Sequence, residues 1–129
     1  MVIRVIKGIG TDIIEIERIE KAVNKVGFLE KYFTEAEQEL FINRKGSIST
    51  IASNFAIKEA TSKVFGTGFR EVKLKEIEIL RDELGKPYIN VFGKAKEIKE
   101  TLGIFSFHVT TSHNKNDVVA FVIGEGKNE

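Results

Sequence analysis

The sequence predicts an α+β fold, in which helices pack on an antiparallel sheet. Helical patterns fill most of the first half of the chain, and two pairs of alternating strands fill most of the second half. Helices and antiparallel hairpins in this order are not the strand–helix alternation of a doubly wound sheet. Because the 129 residues contain no internal repeat, low-complexity segment or Pro/Gly/Ser-rich linker, we expect one domain over residues 1–129.

The first half is predicted to begin with a strand over residues 2–7, a tight turn at the glycines of "GIG", and a helix over about residues 12–25. The stretch "FTEAEQELFIN" predicts a second helix with Thr34 as its N-cap and Glu37 three residues on, which is a capping box. The stretch "TIASNFAIKEATSKVF" predicts a third helix, which Gly66 closes in the usual C-cap position.

The second half is dominated by alternating strands. The segments "KEIEIL" and "PYINVF", joined through "RDELGK", predict a hairpin. A short surface helix is expected in "GKAKEIKETLG". The segments "FSFHVTT" and "DVVAFVIG" then predict two strands connected through "SHNKN".

Composition excludes several classes of function. Apolar residues at 42% and charged residues at 30% are typical of a soluble globular protein. The lack of cysteine rules out disulfides, zinc-thiolate sites and a thiol nucleophile, and fits a reducing cytoplasm. No apolar run approaches the ~18 residues of a membrane span, and the N-terminus does not resemble a signal peptide. A net charge of +1 argues against nucleic-acid binding over the whole surface, so a charged partner must meet a local patch.

Asp12 follows the glycine turn at once, although backbone amides in such a turn usually meet a phosphate. The dinucleotide-binding pattern G-x-G-x-x-G fails, because its third glycine position is Ile13. A carboxylate beside a phosphate makes chemical sense mainly when a divalent cation lies between them, and Mg²⁺ is commonly held by one or two carboxylates with phosphate oxygens and waters. For Asp12 taken alone, a helix cap is the simpler interpretation.

The third helix carries a second carboxylate. Phe55, Glu59 and Lys63 follow one another at intervals of four and therefore project from one side. An exposed Glu59–Lys63 pair is the simpler interpretation of that spacing. The "GTG" at residues 66–68 is either a C-cap and turn or a second place where backbone approaches a ligand. Small residues on the same helix allow another backbone or a ligand to come close: Ala52, Ser53, Ala56 and Ala60.

The two histidines lie in different settings. His108 stands within a predicted strand, on the face shared with Ser106 and Thr110, and is interpreted as a structural histidine with its hydrogen bonds satisfied. His113 lies at a strand-to-turn junction in "TTSHNKND", where imidazole and hydroxyl groups can meet a phosphate. His113 is therefore the candidate for function.

In this order, "GIGTDIIEIERI", "FAIKEATSKVFGTG", "DELGKPYI" and "HVTTSH" resemble the holo-acyl-carrier-protein synthases, the small single-domain 4′-phosphopantetheinyl transferases. The resemblance implies transfer of the 4′-phosphopantetheine arm of coenzyme A to a serine of an acidic apo carrier protein, which leaves adenosine 3′,5′-bisphosphate. It also implies Mg²⁺ and a homotrimer with sites at the subunit boundaries. A coenzyme A-binding module without catalysis is the alternative, but it would not need both Asp12 and Glu59.

The resemblance assigns Asp12 and Glu59 to the metal, and Lys63 to the phosphates as a charge stabiliser or a base, with a water as an equal candidate base. Residues that would contact coenzyme A follow from the matching motifs: Gly66, Thr67, Gly68, Pro87, Ser112 and His113. One departure is Asn54, which stands where the family often has an arginine that grips the 3′-phosphate. Arg44 and Lys45 are candidates to supply that charge.

The predicted first helix has two opposite stripes. Ile16, Ile19, Val23 and Val26 form an apolar stripe. Arg18, Lys21 and Lys25 form a basic stripe on nearly the opposite side, and the family receives its acidic carrier protein on this helix. An ordinary solvated face with a Glu17–Lys21 pair is the simpler interpretation.

Overall fold

The structure is a computed structural model that describes residues 2–66 and 71–128. The order of its elements confirms the predicted α+β class. The elements are β1 (Arg4–Glu15), α1 (Ile16–Val23), α2 (Phe28–Tyr32), α3 (Glu35–Asn43), α4 (Ile48–Val64), a 3₁₀ turn (Leu74–Glu76), β2 (Ile77–Arg81), β3 (Pro87–Val91), α5 (Gly93–Thr101), β4 (Ile104–His113) and β5 (Asp117–Lys127). Across the described ranges, no helix has both the length and the apolar character needed to cross a bilayer.

The strands form two antiparallel sheets. One has three strands in the order β1–β5–β4, and the other is the β2–β3 pair. Both predicted strand pairs are therefore confirmed, as are the capping box of Thr34 and Glu37 on α3 and the helix α5. The predicted second helix is preceded by a separate short helix, α2, because Gly27 at φ 87° turns the chain before Phe28.

The start of the chain differs from the prediction. β1 continues through the glycines to Glu15, so the predicted turn at residues 8–10 and the helix start at Asp12 are wrong. The cause is pairing with β5, which extends from Arg4 opposite Lys127 to Glu15 opposite Asp117 and is interrupted by one bulge after Ile6. Strand pairing along this whole length outweighs the local helical pattern.

The glycines of β1 serve packing and not a turn. A β-carbon at Gly8 would collide with the carbonyl oxygen of Val64, and one at Gly10 with the carbonyl oxygen of Ala60. The small-residue surface of α4 therefore receives the backbone of β1, as its composition predicted. Since Gly10 lies two residues before Asp12, this close approach brings Asp12 against α4.

α4 is the centre of the core and also contains a buried ion pair. Lys58 Nζ lies 2.6 Å from Glu37 Oε1, and both side chains are fully buried. Lys58 also donates to the carbonyl oxygens of Leu74 and Ile77, which fixes the chain where it enters β2. Burial raises the pKa of Glu37 and lowers the pKa of Lys58, and the attraction between the two opposes both shifts.

Candidate active site

A cleft of about 300 Å³ opens where β1 and α4 meet α1 and α2. Its lining combines carboxylates, one cation and apolar side chains, which include Asp12, Glu59, Arg18, Ile19, Phe28 and Phe55. The two candidate metal ligands, from sequence positions far apart, therefore share one cavity. Phe28 and Phe55 stack with ring centroids 6.1 Å apart and form part of its apolar wall.

Asp12 reaches this cleft from a strand and not from a helix cap, so the capping interpretation is wrong. Its side chain is 18% exposed, and its Oδ1 lies 3.3 Å from Lys63 Nζ. Lys63 also donates to the carbonyl oxygen of Thr11 at 2.9 Å. These two contacts hold the Lys63 amine beside Asp12, at the edge of the cleft.

Glu59 faces Asp12 from α4. Burial is the main cause that raises the pKa of Glu59, the negative charge of Asp12 raises it further, and Lys63 partly opposes both. The simple Glu59–Lys63 pair expected from the spacing does not form within 4.0 Å, because Lys63 turns to Asp12 instead. Arg18 also lines the cleft, but in the described part of the chain Glu59 has no basic partner within 4.0 Å, so its carboxylate oxygens remain available to a cation.

The donor set suits Mg²⁺. Within residues 2–66 and 71–128, no group of three or more His, Cys, Asp or Glu side chains could form a closed metal cage. Asp12 and Glu59 would thus supply two oxygen ligands and leave the other positions to waters and substrate oxygens. Mg²⁺ commonly binds in this way.

Ser112 and His113 do not join this cleft within one chain. Both are exposed at the end of β4, opposite Val119 and Val118 of β5. Because β5 lies between β1 and β4, these residues are separated from the backbone of Asp12 by about 10 Å or more. His108 is satisfied as predicted, since its Nε2 lies 2.9 Å from Glu125 Oε1, although its side chain is exposed.

Other candidate residues for coenzyme A lie around the β2–β3 hairpin. Arg44 is the C-cap of α3, and a β-carbon at Gly85 in the hairpin turn would lie 3.8 Å from its Nη2. Lys45 follows with φ 60° and is exposed. Pro87 begins β3 on the other side of the turn. Gly66 follows α4 at φ 87°, whereas Thr67 and Gly68 lie outside the described residues.

The structure shows the surroundings of Asn54 and Arg81, which the sequence did not reveal. Asn54 is fully buried and donates from Nδ2 to Glu37 Oε2 at 3.1 Å and to the carbonyl oxygen of Ile79 at 2.9 Å. Arg81 ends β2 opposite Pro87 and was not among the candidate residues. Burial first, and then the neighbouring charge of Arg44, lower the pKa of Arg81 to about 10, while Glu37 opposes the shift.

The basic stripe is only partly helical. Arg18 lines the cleft, and Lys21 lies 3.3 Å from Glu17, so the simpler pair is present. α1 ends at Val23, so Lys25 lies in the following turn and not on the helix. The predicted apolar stripe is wrong at Val26 for the same reason, since that side chain is fully exposed.

Comparison with known proteins agrees with this arrangement. The family model of the 4′-phosphopantetheinyl transferase superfamily matches residues 8–122. A holo-[acyl-carrier-protein] synthase of Lachnoclostridium phytofermentans is 49% identical over 118 residues, which cover 92% of this chain and 94% of that protein.

Solved structures give the same result. A holo-(acyl-carrier-protein) synthase of Bacillus anthracis in complex with CoA (3′,5′-ADP) is 38% identical with a TM-score of 0.77, covering 94% of this chain and 97% of the other. The Helicobacter pylori holo-[acyl-carrier-protein] synthase in complex with coenzyme A is 35% identical with a TM-score of 0.76, covering 88% and 96%. The chain therefore belongs to the holo-acyl-carrier-protein synthase family of 4′-phosphopantetheinyl transferases.

Proposed function

We propose that the cleft between β1 and α4 is the active site and that Asp12 and Glu59 hold Mg²⁺ there. As a holo-acyl-carrier-protein synthase, the chain transfers 4′-phosphopantetheine from coenzyme A to a serine of apo acyl carrier protein. The main support for this location is that Asp12 of β1 and Glu59 of α4 line one cavity, while Lys63 of α4 contacts Asp12 beside it.

The reaction is displacement at the β-phosphorus of a pyrophosphate, with the serine hydroxyl as nucleophile and adenosine 3′,5′-bisphosphate as leaving group. When bound, Mg²⁺ would neutralise charge on the pyrophosphate oxygens. Lys63, which donates to Asp12 and to the carbonyl oxygen of Thr11, is half exposed and can turn to a phosphate oxygen as negative charge develops. The proton of the serine passes to a base, for which a water beside Glu59 and Lys63 itself are the candidates.

Residues outside the cleft point to assembly. The face of the three-stranded sheet opposite α4 exposes apolar side chains on neighbouring strands, with Ile13 opposite Val119 and Thr11 opposite Phe121. We propose that further copies cover this face in a homotrimer, and that Ser112 and His113 of an adjacent copy complete each cleft. Light scattering at micromolar concentration should show the trimer, and a monomer would count against it.

The carrier protein is proposed to approach over α1. Arg18 lies at the cleft and Lys21 is one turn further along the helix, while Lys25 is exposed in the turn that follows. Their charges suit an acidic protein that must bring a serine to the cavity.

The direct test incubates purified apo acyl carrier protein with this protein, coenzyme A and Mg²⁺, and measures the mass of the carrier. A gain of one phosphopantetheine group is the expected result. Tight binding of coenzyme A without any gain in mass would favour the alternative, a binding module without catalysis.

A further inference from the structure

A buried cluster of three polar side chains holds one side of α4. Its members are Glu37 of α3 and Asn54 and Lys58 of α4, and each is fully buried. Glu37 accepts four hydrogen bonds: its Oε1 from Lys58 Nζ and the backbone amide of Thr34, and its Oε2 from Asn54 Nδ2 and the backbone amide of Ile79. The cluster therefore joins the start of α3, the middle of α4 and the strand β2 through directional bonds.

The stability of the core does not by itself explain this cluster. A buried ion pair carries a large desolvation penalty, and apolar side chains of similar volume often hold a core together as well or better. Apolar packing does not supply direction, whereas a hydrogen bond weakens steeply as its angle departs from the preferred range. Asn54 and Lys58 are one turn apart on α4 and donate to the same carboxylate, so together they fix the rotation of the helix about its axis.

The position of Glu59 depends on that rotation. Glu59 follows Lys58 directly, about 100° further around the helix, and lines the cleft. Because side chains extend about 5–6 Å from the helix axis, a rotation of about 10° moves the tip of a side chain by about 1 Å. Mg²⁺ demands near-ideal octahedral geometry, and a misplacement of about 1 Å at a reacting centre can cost about a hundredfold in rate.

The contact between β1 and α4 does not supply the same control. Gly8 and Gly10 lie against the carbonyl oxygens of Val64 and Ala60, where a β-carbon would collide. This close packing of backbones determines how near Asp12 comes to α4. It contains no directional bond that would fix the rotation of the helix, so that task falls to the buried cluster.

We propose that Glu37, Asn54 and Lys58 are positioning residues for the transfer reaction, because they fix the rotation of α4 that holds Glu59 opposite Asp12. The inference rests on the proposed function, in which Asp12 and Glu59 hold Mg²⁺. It gives the buried cluster a role in the reaction, although its members act only through α4. It also gives Asn54 a role that differs from the phosphate contact of the family arginine at this position.

A double variant separates position from stability. Glu37→Gln/Lys58→Met removes both charges together, so neither is left buried alone, and this variant should unfold at a clearly higher temperature than Lys58→Met. It also loses the ammonium group that links Glu37 to the carbonyl oxygens of Leu74 and Ile77. The Mg²⁺ concentration for half-maximal transfer should therefore rise about tenfold or more, as is typical when groups that orient metal ligands are lost.

A second measurement does not depend on activity. Mg²⁺ raises the unfolding temperature of a protein that binds it, and the double variant should need about tenfold more Mg²⁺ for the same rise. Asn54→Ala is a milder change that removes the bonds to Glu37 and Ile79, and it should shift both Mg²⁺ dependences in the same direction. Ile98→Val is the control, since it loosens buried packing on α5 and should lower the unfolding temperature without changing either dependence.

The outcomes separate this inference from the proposed function. If the double variant folds and keeps the Mg²⁺ dependence of the unaltered protein in both measurements, the cluster only supports the fold and the inference is wrong. The inference is also wrong if the double variant does not fold and Asn54→Ala keeps the unaltered dependence, or if Ile98→Val shifts the dependence as strongly as Asn54→Ala. Failure of the unaltered protein to modify the carrier would instead contradict the function, and an unfolding temperature that Mg²⁺ does not change in the unaltered protein would contradict the metal site.

Discussion

Glu59 is partly buried in the cleft and also faces the negative charge of Asp12, and both features make its ionised form costly. The raised pKa of Glu59 records the cost of placing a second negative charge in a partly buried cavity beside Asp12. A metal ion would remove that cost, so the same feature that strains the metal-free protein favours cation binding. The positive charge of Lys63 offsets this cost only in part, because Lys63 donates to Asp12 and not to Glu59.

The cost at Glu59 gives a prediction about stability at the residue scale. An acid whose pKa is higher in the folded than in the unfolded state lowers stability as pH rises through the unfolded and then the folded pKa. Glu59→Gln removes that ionisation, so in chelator near neutral pH the variant should unfold at the same or a higher temperature than the unaltered protein. The difference should vanish below about pH 4, where an ordinary glutamate is protonated in both states.

Glu97→Gln is the matched control, since Glu97 is exposed on α5. It should show no such pH-dependent difference in unfolding temperature. A Glu59→Gln variant that is clearly less stable than the unaltered protein above neutral pH would show that Glu59 is not strained in the metal-free state.

At the scale of elements, structural features that depend on contacts within one turn could be predicted from the sequence. Features that depend on contacts between distant segments could not. The capping box of Thr34 and Glu37 uses contacts within one turn, so its residues predict it directly. Gly8 and Gly10 predicted a turn because glycine adopts backbone conformations that other residues avoid. In the fold they are needed because a β-carbon at either position would collide with the backbone of α4. Nothing local in the sequence says which backbone lies across from a glycine. The predicted helix start at Asp12 failed for the same reason, since β5 determines the length of β1.

Lys58 gives the prediction at the element scale, because its ammonium joins α4, α3 and the entry to β2. Lys58→Met would leave Glu37 buried without its cation and two carbonyl oxygens without their donor. Chemical denaturation should show a loss of about 3–5 kcal/mol in the free energy of unfolding. Lys96→Met, which alters an exposed lysine, should change it by less than about 0.5 kcal/mol. A small effect for Lys58→Met would mean that the buried pair does not hold these elements together.

At the scale of the whole molecule, the candidate residues form separate groups. Asp12 and Glu59 line the cleft with Lys63 beside Asp12, Arg44 and Pro87 lie at the hairpin, and His113 lies across β5. The family resemblance predicted these residues as one set, because it implies a site that is completed at the boundary between two subunits. A single chain separates them, and the open apolar face of the sheet is the physical reason to expect further copies. Arg81 was missed because its burial and its pairing with Pro87 arise only in the fold.

The approach of the carrier protein gives a prediction at the same scale. Replacing Arg18 and Lys21 together by Glu should raise the KM for carrier protein by about tenfold or more, because each reversed charge repels an acidic partner. The KM for coenzyme A should change much less. In the unaltered protein kcat/KM should fall as salt rises, and the double variant should lose that dependence. If the double variant and the unaltered protein have equal KM values for carrier protein at low salt, Arg18 and Lys21 do not bind the carrier. They would then belong to an ordinary solvated helix face with a Glu17–Lys21 pair.

The central claim is that Asp12 and Glu59 together hold the metal required for transfer. The most direct measurement is the rate of phosphopantetheine transfer, followed by the mass of the carrier protein, as Mg²⁺ is titrated from a chelated start. The unaltered protein and Glu97→Gln should show the same saturable dependence on Mg²⁺. Asp12→Ala, Glu59→Ala and Glu59→Gln should remain folded and lose transfer at low Mg²⁺, since the amide keeps the shape but not the charge. Turnover close to that of the unaltered protein at low Mg²⁺ in Asp12→Ala or Glu59→Ala would contradict the account.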